Sequence, residues 1–234
     1  MKKIFLTDKV VIGLSDKRDG DIRTIGKSGA ALEAVRGNRA KLLAQIDLTL
    51  DETALVAVDY DRDDFCRYAV ADASWRGRGM ARDRDRPDVF SDAPVADALA
   101  TRAKNLGLFL PLADCLGAVI FDPAREILAV AHLGRHATEQ FGAREIVKFL
   151  REKFDCDAKN LRIWLSPAAG AKNYPLYKFA NQSLREVNIS QFVAAGVLRE
   201  NIGGDDIDTT TDENYFSHSQ GDRDRRFAIV AKVV

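Results

Sequence analysis

Residues 106–133 constrain the fold more than any other part of the chain. They carry three apolar runs of strand length, 106–112, 116–121 and 127–132, and the last two are separated by Asp122-Pro123-Ala124-Arg125. Short continuous apolar runs bounded by turn residues read as buried strands, and proline pre-sets the backbone angle a tight turn needs. The last two runs therefore form a hairpin. With Phe121 and Glu126 flanking the turn, Cys115 falls directly opposite His132 on the same face, with Cβ atoms about 4.5–5.5 Å apart. That spacing suits two ligands of one metal ion, or a thiolate held by an imidazole. It equally suits a buried cysteine beside a satisfied core histidine. A slip of one residue would turn the two side chains to opposite faces.

The flanking sequence supplies the remaining layers. Residues 4–14 read as a strand, clearest at Val10–Leu14, followed by a charged turn at 16–21. Leu32, Val35, Leu42, Leu43 and Ile46 recur at helical spacing and predict a helix over 30–46. Strands are expected at 54–58, 161–165 and 227–234. Helices are expected at 138–154, where Phe141, Ile146, Val147, Phe149, Leu150 and Phe154 recur, and at 179–195, ended by Gly196. Strands and helices mix without strict βαβ alternation. The expected class is α/β (α+β), a layered sandwich of mixed β-sheets flanked by helices, in a single domain over 1–234. Residues 74–94, rich in Arg, Asp and Gly, read as a solvated loop insertion.

Charge and cysteine usage narrow the function classes. Lys+Arg and Asp+Glu are both 35 in 234 residues, so there is no broad field for nucleic acid or an anionic membrane. The apolar start is broken by Thr7, Asp8 and Lys9 and has no cleavage-site pattern, so it does not read as a signal peptide. No apolar stretch has the length of a membrane span. The cysteines, Cys66, Cys115 and Cys156, are odd in number and far apart, which speaks for a reducing compartment and a cytoplasmic location.

Several motifs, taken in order, resemble the laccase-domain family, whose members are also described as zinc-dependent purine nucleoside phosphorylases. Where that family reads TADCLP and VHAGWRG, this chain reads LADCLG, with Cys115, and AHLGRHA, with His132. Gly37-Asn38-Arg39 resembles the Asn-Arg pair opening a family helix, and Val95-Ala96-Asp97-Ala98 the Asp-containing segment before the central strand. WLSPAAGAKNY and GGDDIDTTTDENYFSHSQGDRDRRF resemble two later family stretches, so the similarity runs from about Ser15 to Val234.

The resemblance implies a layered sandwich and a zinc site, zinc fitting better than copper, held by one Cys and two His. It implies phosphorolysis or deamination of a purine nucleoside, with phenol oxidation also ascribed to the family. In place of the family's Gln-x-His-Gly, this chain reads Asp59-Tyr60-Asp61-Arg62. Counting from the strand puts Asp61 in the histidine's position, so the implied ligand set is Asp61, Cys115 and His132, with one position open for substrate or water. Arg39, Arg135 and Arg226 are the implied substrate or phosphate groups, since guanidinium binds phosphate bidentately. The Trp-Arg of the family becomes Arg135-His136, and Ile207 stands at a terminal cysteine position. The expected ligands are a small molecule, a nucleoside with phosphate, and neither nucleic acid nor membrane; the sequence leaves the oligomeric state open. Two other readings stay open: a metal-free thiol hydrolase with Cys115 as nucleophile and His132 as base, and a non-catalytic binding or regulatory homologue.

Overall fold

Period-two alternation along a few fully buried strands builds this molecule in layers. The structure is a computed structural model and describes residues 1–80 and 95–234. Its strands are β1 (Lys2–Thr7), β2 (Val10–Leu14), β3 (Thr53–Leu55), β4 (Tyr68–Val70), β5 (Ala98–Thr101), β6 (Gly107–Leu112), β7 (Leu116–Asp122), β8 (Ile127–Leu133), β9 (Arg162–Leu165), β10 (Ile202–Gly204) and β11 (Phe227–Val233). The α-helices are α1 (Gly29–Ala44), α2 (Arg135–Glu139), α3 (Gly142–Phe154) and α4 (Leu184–Ala194). One sheet has the order β1-β2-β11-β6-β3 and the other β10-β9-β7-β8-β5-β4. Both are mixed: β3–β6, β4–β5 and β9–β10 are parallel pairs, the others antiparallel.

On β7 and β8, Ala118, Ile120, Ala129 and Ala131 face a core shared with Ile146, Leu150, Val187 and Phe192 of α3 and α4. Val119, Phe121, Leu128 and Val130 face the other way, onto Leu110 and Leu112 of β6 and Ile229 of β11. The outer face of the five-stranded sheet, with Val11, Phe109 and Val230, packs on Leu42 and Leu43 of α1. The result is helix, sheet, sheet, helices, which is the layered sandwich expected from sequence. Gly117 marks a close approach of the two sheets, because a Cβ there would lie 2.7 Å from Ile229 Cδ1 and 2.8 Å from Leu112 Cδ1.

The hairpin register differs from expectation. Asp122 pairs with Ile127 and His132 lies opposite Gly117, so the turn takes residues 123–126 and the pairing moves by two positions. The Asp122 carboxylate accepts the N–H groups of Ala124 and Arg125, and Glu126 has a positive φ of 51°. These features stabilise the shifted turn. An even shift preserves faces, so Cys115 and His132 still share one, but as diagonal neighbours.

Three further boundaries depart from the periodic reading. The first strand is two, β1 and β2, folded back at Thr7–Val10. The helix expected over 138–154 is broken between α2 and α3, where Phe141 has a φ of 60°. Gly142 sits so close to Ala137 that a Cβ would lie 2.9 Å from its carbonyl oxygen. The helix expected from 179 begins instead after Ser183, whose hydroxyl and the Glu186 carboxylate cap each other's backbone N–H. Of the expected insertion, residues 74–80 pack against β3: Leu55 N–H donates to Arg78 C=O, Gly77 N–H to Thr53 C=O, and Met80 is fully buried. Residues 81–94 lie outside the described residues. Among the described residues, no helix is long and apolar enough to cross a membrane.

α1 turns a cation inward. Arg39 is 1 % exposed, donates Nε to Ile22 C=O at 2.9 Å and Nη1 to the carbonyls of Gly79 and Met80 at 3.1 and 3.2 Å, and lies over the Phe109 ring. Burial pushes its pKa down to about 10, which leaves it charged at neutral pH. Replacing it strands three carbonyls, each costing about 1 kcal/mol or more. Arg39→Met is therefore expected to lower urea-unfolding stability by about 3 kcal/mol, and Arg39→Lys should recover less than half; an unchanged midpoint for Arg39→Met would refute the structural role.

Candidate active site

The site lies where β7 begins and β8 ends. Because β7 and β8 share a face register, Cys115 and His132 both turn toward the space between the sheets, and Gly134 fills the gap beside them. A Cβ on Gly134 would lie 2.9 Å from Cys115 Sγ and 2.8 Å from His132 Cε1. The pair thus straddles a residue that must lack a side chain. The β6–β7 turn that delivers Cys115 is held by Asp114, which has a φ of 75°. Its carboxylate accepts Thr209 Oγ1–H at 2.9 Å and Ser219 N–H at 2.7 Å, and its carbonyl accepts Ala169 N–H. Both carboxylate oxygens are committed, so Asp114 anchors the turn to the loops of residues 169 and 209–219.

His132 is held from the backbone. Its N–H donates to the carbonyl of Asp97 at 2.8 Å, and Asp97 is itself fully buried against Arg67, whose N–H and Nε reach its Oδ2. Burial raises the Asp97 carboxyl above the usual carboxylate range, with the Arg67 contacts opposing it. Among the described residues, neither Asp97 Oδ1 nor His132 Nδ1, both buried, has a hydrogen-bond partner. Burial pushes the His132 imidazole down to about 4 and the Cys115 thiol up to about 11. At neutral pH the pair is an uncharged imidazole and a protonated thiol.

The third group at the pair is Tyr60. Its hydroxyl lies 3.3 Å from His132 Nε2, both residues line the same cavity as Cys115, and the Tyr60 and His132 rings meet edge-on. Although 58 % of Tyr60 is solvent-exposed, the hydroxyl end points inward, and burial with the neighbouring Cys115 raises its pKa. Alternation explains its placement: Ala54, Val56 and Val58 face the space between the sheets, and Tyr60 continues that series. Asp61 falls on the other parity, is exposed, and donates its N–H to Asp59 Oδ1. Extending the even-numbered series by two residues would have found Tyr60 from the sequence.

A cavity of about 340 Å³ opens over the pair, walled by Tyr60, Arg135, His136, Tyr174, His218 and Arg226. Arg135 lies over the Tyr174 ring at 4.3 Å and donates to Pro175 C=O. Arg226 is steadied by Asp21, which accepts its backbone N–H, and by its own bonds to the carbonyls of Arg223 and Arg225. The structure thus brings Cys115, His132, Arg135 and Arg226 to one cavity. It does not bring Asp61 there. Arg39 lines a neighbouring cavity of about 230 Å³ that shares Tyr60, His132 and Arg226 as a common wall.

The donor set does not fit the metal site expected from sequence. Structural and catalytic zinc sites draw at least three donors from Cys, His and carboxylates. Among the described residues no group of three His, Cys, Asp or Glu side chains is arranged to hold a metal ion. Here a phenol stands beside one thiol and one imidazole.

Comparisons with known proteins bear on this geometry. Residues 13–183 match the family model described as multi-copper polyphenol oxidoreductase laccase. Two relatives are named purine nucleoside phosphorylases: YlmD of Bacillus subtilis, 28 % identical over 101 residues, covering 43 % of this chain and 36 % of that protein, and Cj1217c of Campylobacter jejuni, 26 % identical over 148 residues, covering 57 % and 65 %. The chain thus aligns with between about a third and two thirds of those relatives' lengths. Two crystal structures share the fold over nearly the whole chain. YlmD from Geobacillus stearothermophilus has a TM-score of 0.82 at 20 % identity, covering 98 % of this chain and 94 % of that one. The Bacillus licheniformis hypothetical protein YfiH has a TM-score of 0.81 at 21 % identity, covering 96 % and 93 %.

The buried imidazole carries a pH signature. An unfolded histidine titrates near 6.5, whereas folded His132 is pushed down to about 4. Between these values the unfolded chain binds the extra proton, so the stability that neutral His132 contributes is full above about pH 6.5 and is lost as pH falls toward 4. The loss approaches about 3 kcal/mol. Urea melts at pH 7 and pH 4 should show His132→Gln losing that much less than the wild type; parallel losses would contradict the buried neutral state.

Proposed function

The chain belongs to the multi-copper polyphenol oxidoreductase laccase family, and from that premise we propose that it acts on a purine nucleoside or a closely related small molecule, with inorganic phosphate as second substrate. The observation that carries the reading is the cavity over Cys115 and His132, which sets two arginines and an aromatic face above a neutral polar floor. The names of the two purine nucleoside phosphorylase relatives support it.

In this reading Arg135 and Arg226 hold the phosphate, because guanidinium N–H groups match its oxygens. A phosphate oxygen attacks the anomeric carbon, the bond from that carbon to the purine nitrogen breaks, and the electron pair leaves with the base. The departing base then takes a proton, for which His136 on the cavity wall is the assigned donor. Tyr174, beneath Arg135, offers a flat surface to the base or sugar. The neutral His132, with the Tyr60 hydroxyl 3.3 Å from its Nε2, forms part of the polar floor under the substrate. No step is routed through a metal.

The thiol hydrolase reading has weaker support. A cysteine nucleophile works as thiolate and is activated by a lowered pKa, whereas burial pushes the Cys115 thiol up to about 11.

Incubation of the purified chain with inosine, adenosine and guanosine tests the proposal. Free base and ribose 1-phosphate should form only when phosphate is present. Arg135→Ala and Arg226→Ala should each lower kcat/KM for phosphate by about 10–100-fold, the loss expected for charge-assisted hydrogen bonds. A folded wild type that releases no base from any of the three would exclude this activity.

A further inference from the structure

The position of Tyr60 has its own chemical consequence. Three donor atoms from three distant stretches converge: Cys115 Sγ from the start of β7, His132 Nε2 from β8, and the Tyr60 hydroxyl from the segment after β3. The Tyr60 hydroxyl meets His132 Nε2 at 3.3 Å, and Cys115 Sγ lies beside the same imidazole across Gly134, so the phenol stands where a third ligand would. Among the described residues no group of three His, Cys, Asp or Glu side chains is arranged to hold a metal ion, although His218 stands on the same cavity wall. Asp61 is exposed and does not line the cavity over the pair. His136 is stacked on Phe65 with centroids 4.7 Å apart. The carboxylate of Asp114, the nearest acid in sequence, is spent on Thr209 and Ser219.

The loop carrying Tyr60 is also fixed rather than free to withdraw. Gln140, at the break between α2 and α3, donates Nε2–H to Asp63 C=O and accepts Phe65 N–H. Arg67 donates to Asp59 C=O and pairs with buried Asp97. The loop is therefore stitched on both sides of Tyr60 to the elements that carry His132.

We infer that Tyr60 takes the place of the third metal ligand and closes the Cys115–His132 pair with its hydroxyl, making this chain a member of its family whose site does not retain zinc or copper. The inference rests on family membership and on the geometry of the pair, not on the nucleoside reading. A neutral phenol is a poor ligand beside thiolate and imidazole for zinc, and two strong donors hold the ion far less firmly than three.

The test uses the full chain and its Tyr60→His and Tyr60→Phe variants, titrated with zinc against a chromophoric chelator and with cobalt(II) followed by absorption. The wild type and Tyr60→Phe should bind zinc weakly and give no cobalt–thiolate band. Tyr60→His, which completes a Cys-His-His set, should bind zinc at least about 100-fold more tightly, with a cobalt–thiolate band that Cys115→Ser abolishes. Stoichiometric zinc or copper in the wild type, retained on dialysis and dependent on Cys115, would overturn the inference. So would a folded Tyr60→His, shown by an unchanged circular-dichroism spectrum, that gains no affinity. Neither readout involves turnover, so a failure of the phosphorolysis assay leaves the metal result standing on its own.

Discussion

The central hairpin is buried on both faces, and the site depends on that constraint. β7 and β8 present one row of side chains to the helices and the other to the opposing sheet. A one-residue slip would exchange the rows and place His132 among the helices, with its neutral imidazole far from Tyr60 and Arg226. Both rows are apolar, so burial alone does not select the register strongly. The polar positions at the strand ends do: Asp122 caps the turn, His132 N–H reaches Asp97, and Gly117 is the one position in β7 that can meet the narrow gap under Ile229 and Leu112. Register is set by three small or polar residues in an otherwise interchangeable apolar frame.

Much of this was legible in the sequence because it follows from period and punctuation. The runs that became β6, β7, β8 and β11 are six or seven residues long and apolar, and their type and face could be read directly. The short partner strands β4, β5 and β10 carry only three or four residues each and have no periodicity of their own. They exist because a neighbouring strand offers unpaired N–H and C=O groups, which is a tertiary fact. The break after α2 is local: the apolar spacing continues through Phe141, but Phe141 takes a φ of 60° and Gly142 then lies so close to the Ala137 carbonyl that a Cβ would not fit.

The site was legible in part. Cys115 and His132 share a face because an even error in register leaves faces unchanged. Tyr60 carries no motif of its own: the family spacing counted from the strand lands on Asp61, whereas the alternation of Ala54, Val56 and Val58 continues to Tyr60. The arginines divide by burial. Arg135 and Arg226 sit at the wall of the cavity over the pair, whereas Arg39 is buried and spends its Nε and Nη1 donors on three backbone carbonyls. No sequence pattern distinguishes a cation that meets a ligand from one that holds a loop, since both need the same guanidinium.

The central place of β11 in the five-stranded sheet also has a consequence for biosynthesis. It pairs with β2 on one side and β6 on the other, and Ala228 N–H reaches Ser15 across 213 residues of sequence. Until residues 227–233 leave the ribosome, β2 and β6 are two unsatisfied edges with apolar faces. The nascent chain therefore carries templates for aggregation until that strand emerges, and closing them requires contacts between residues more than 200 positions apart. Chaperone demand and folding rate should respond more to substitutions in this one strand than to any change around the cavity.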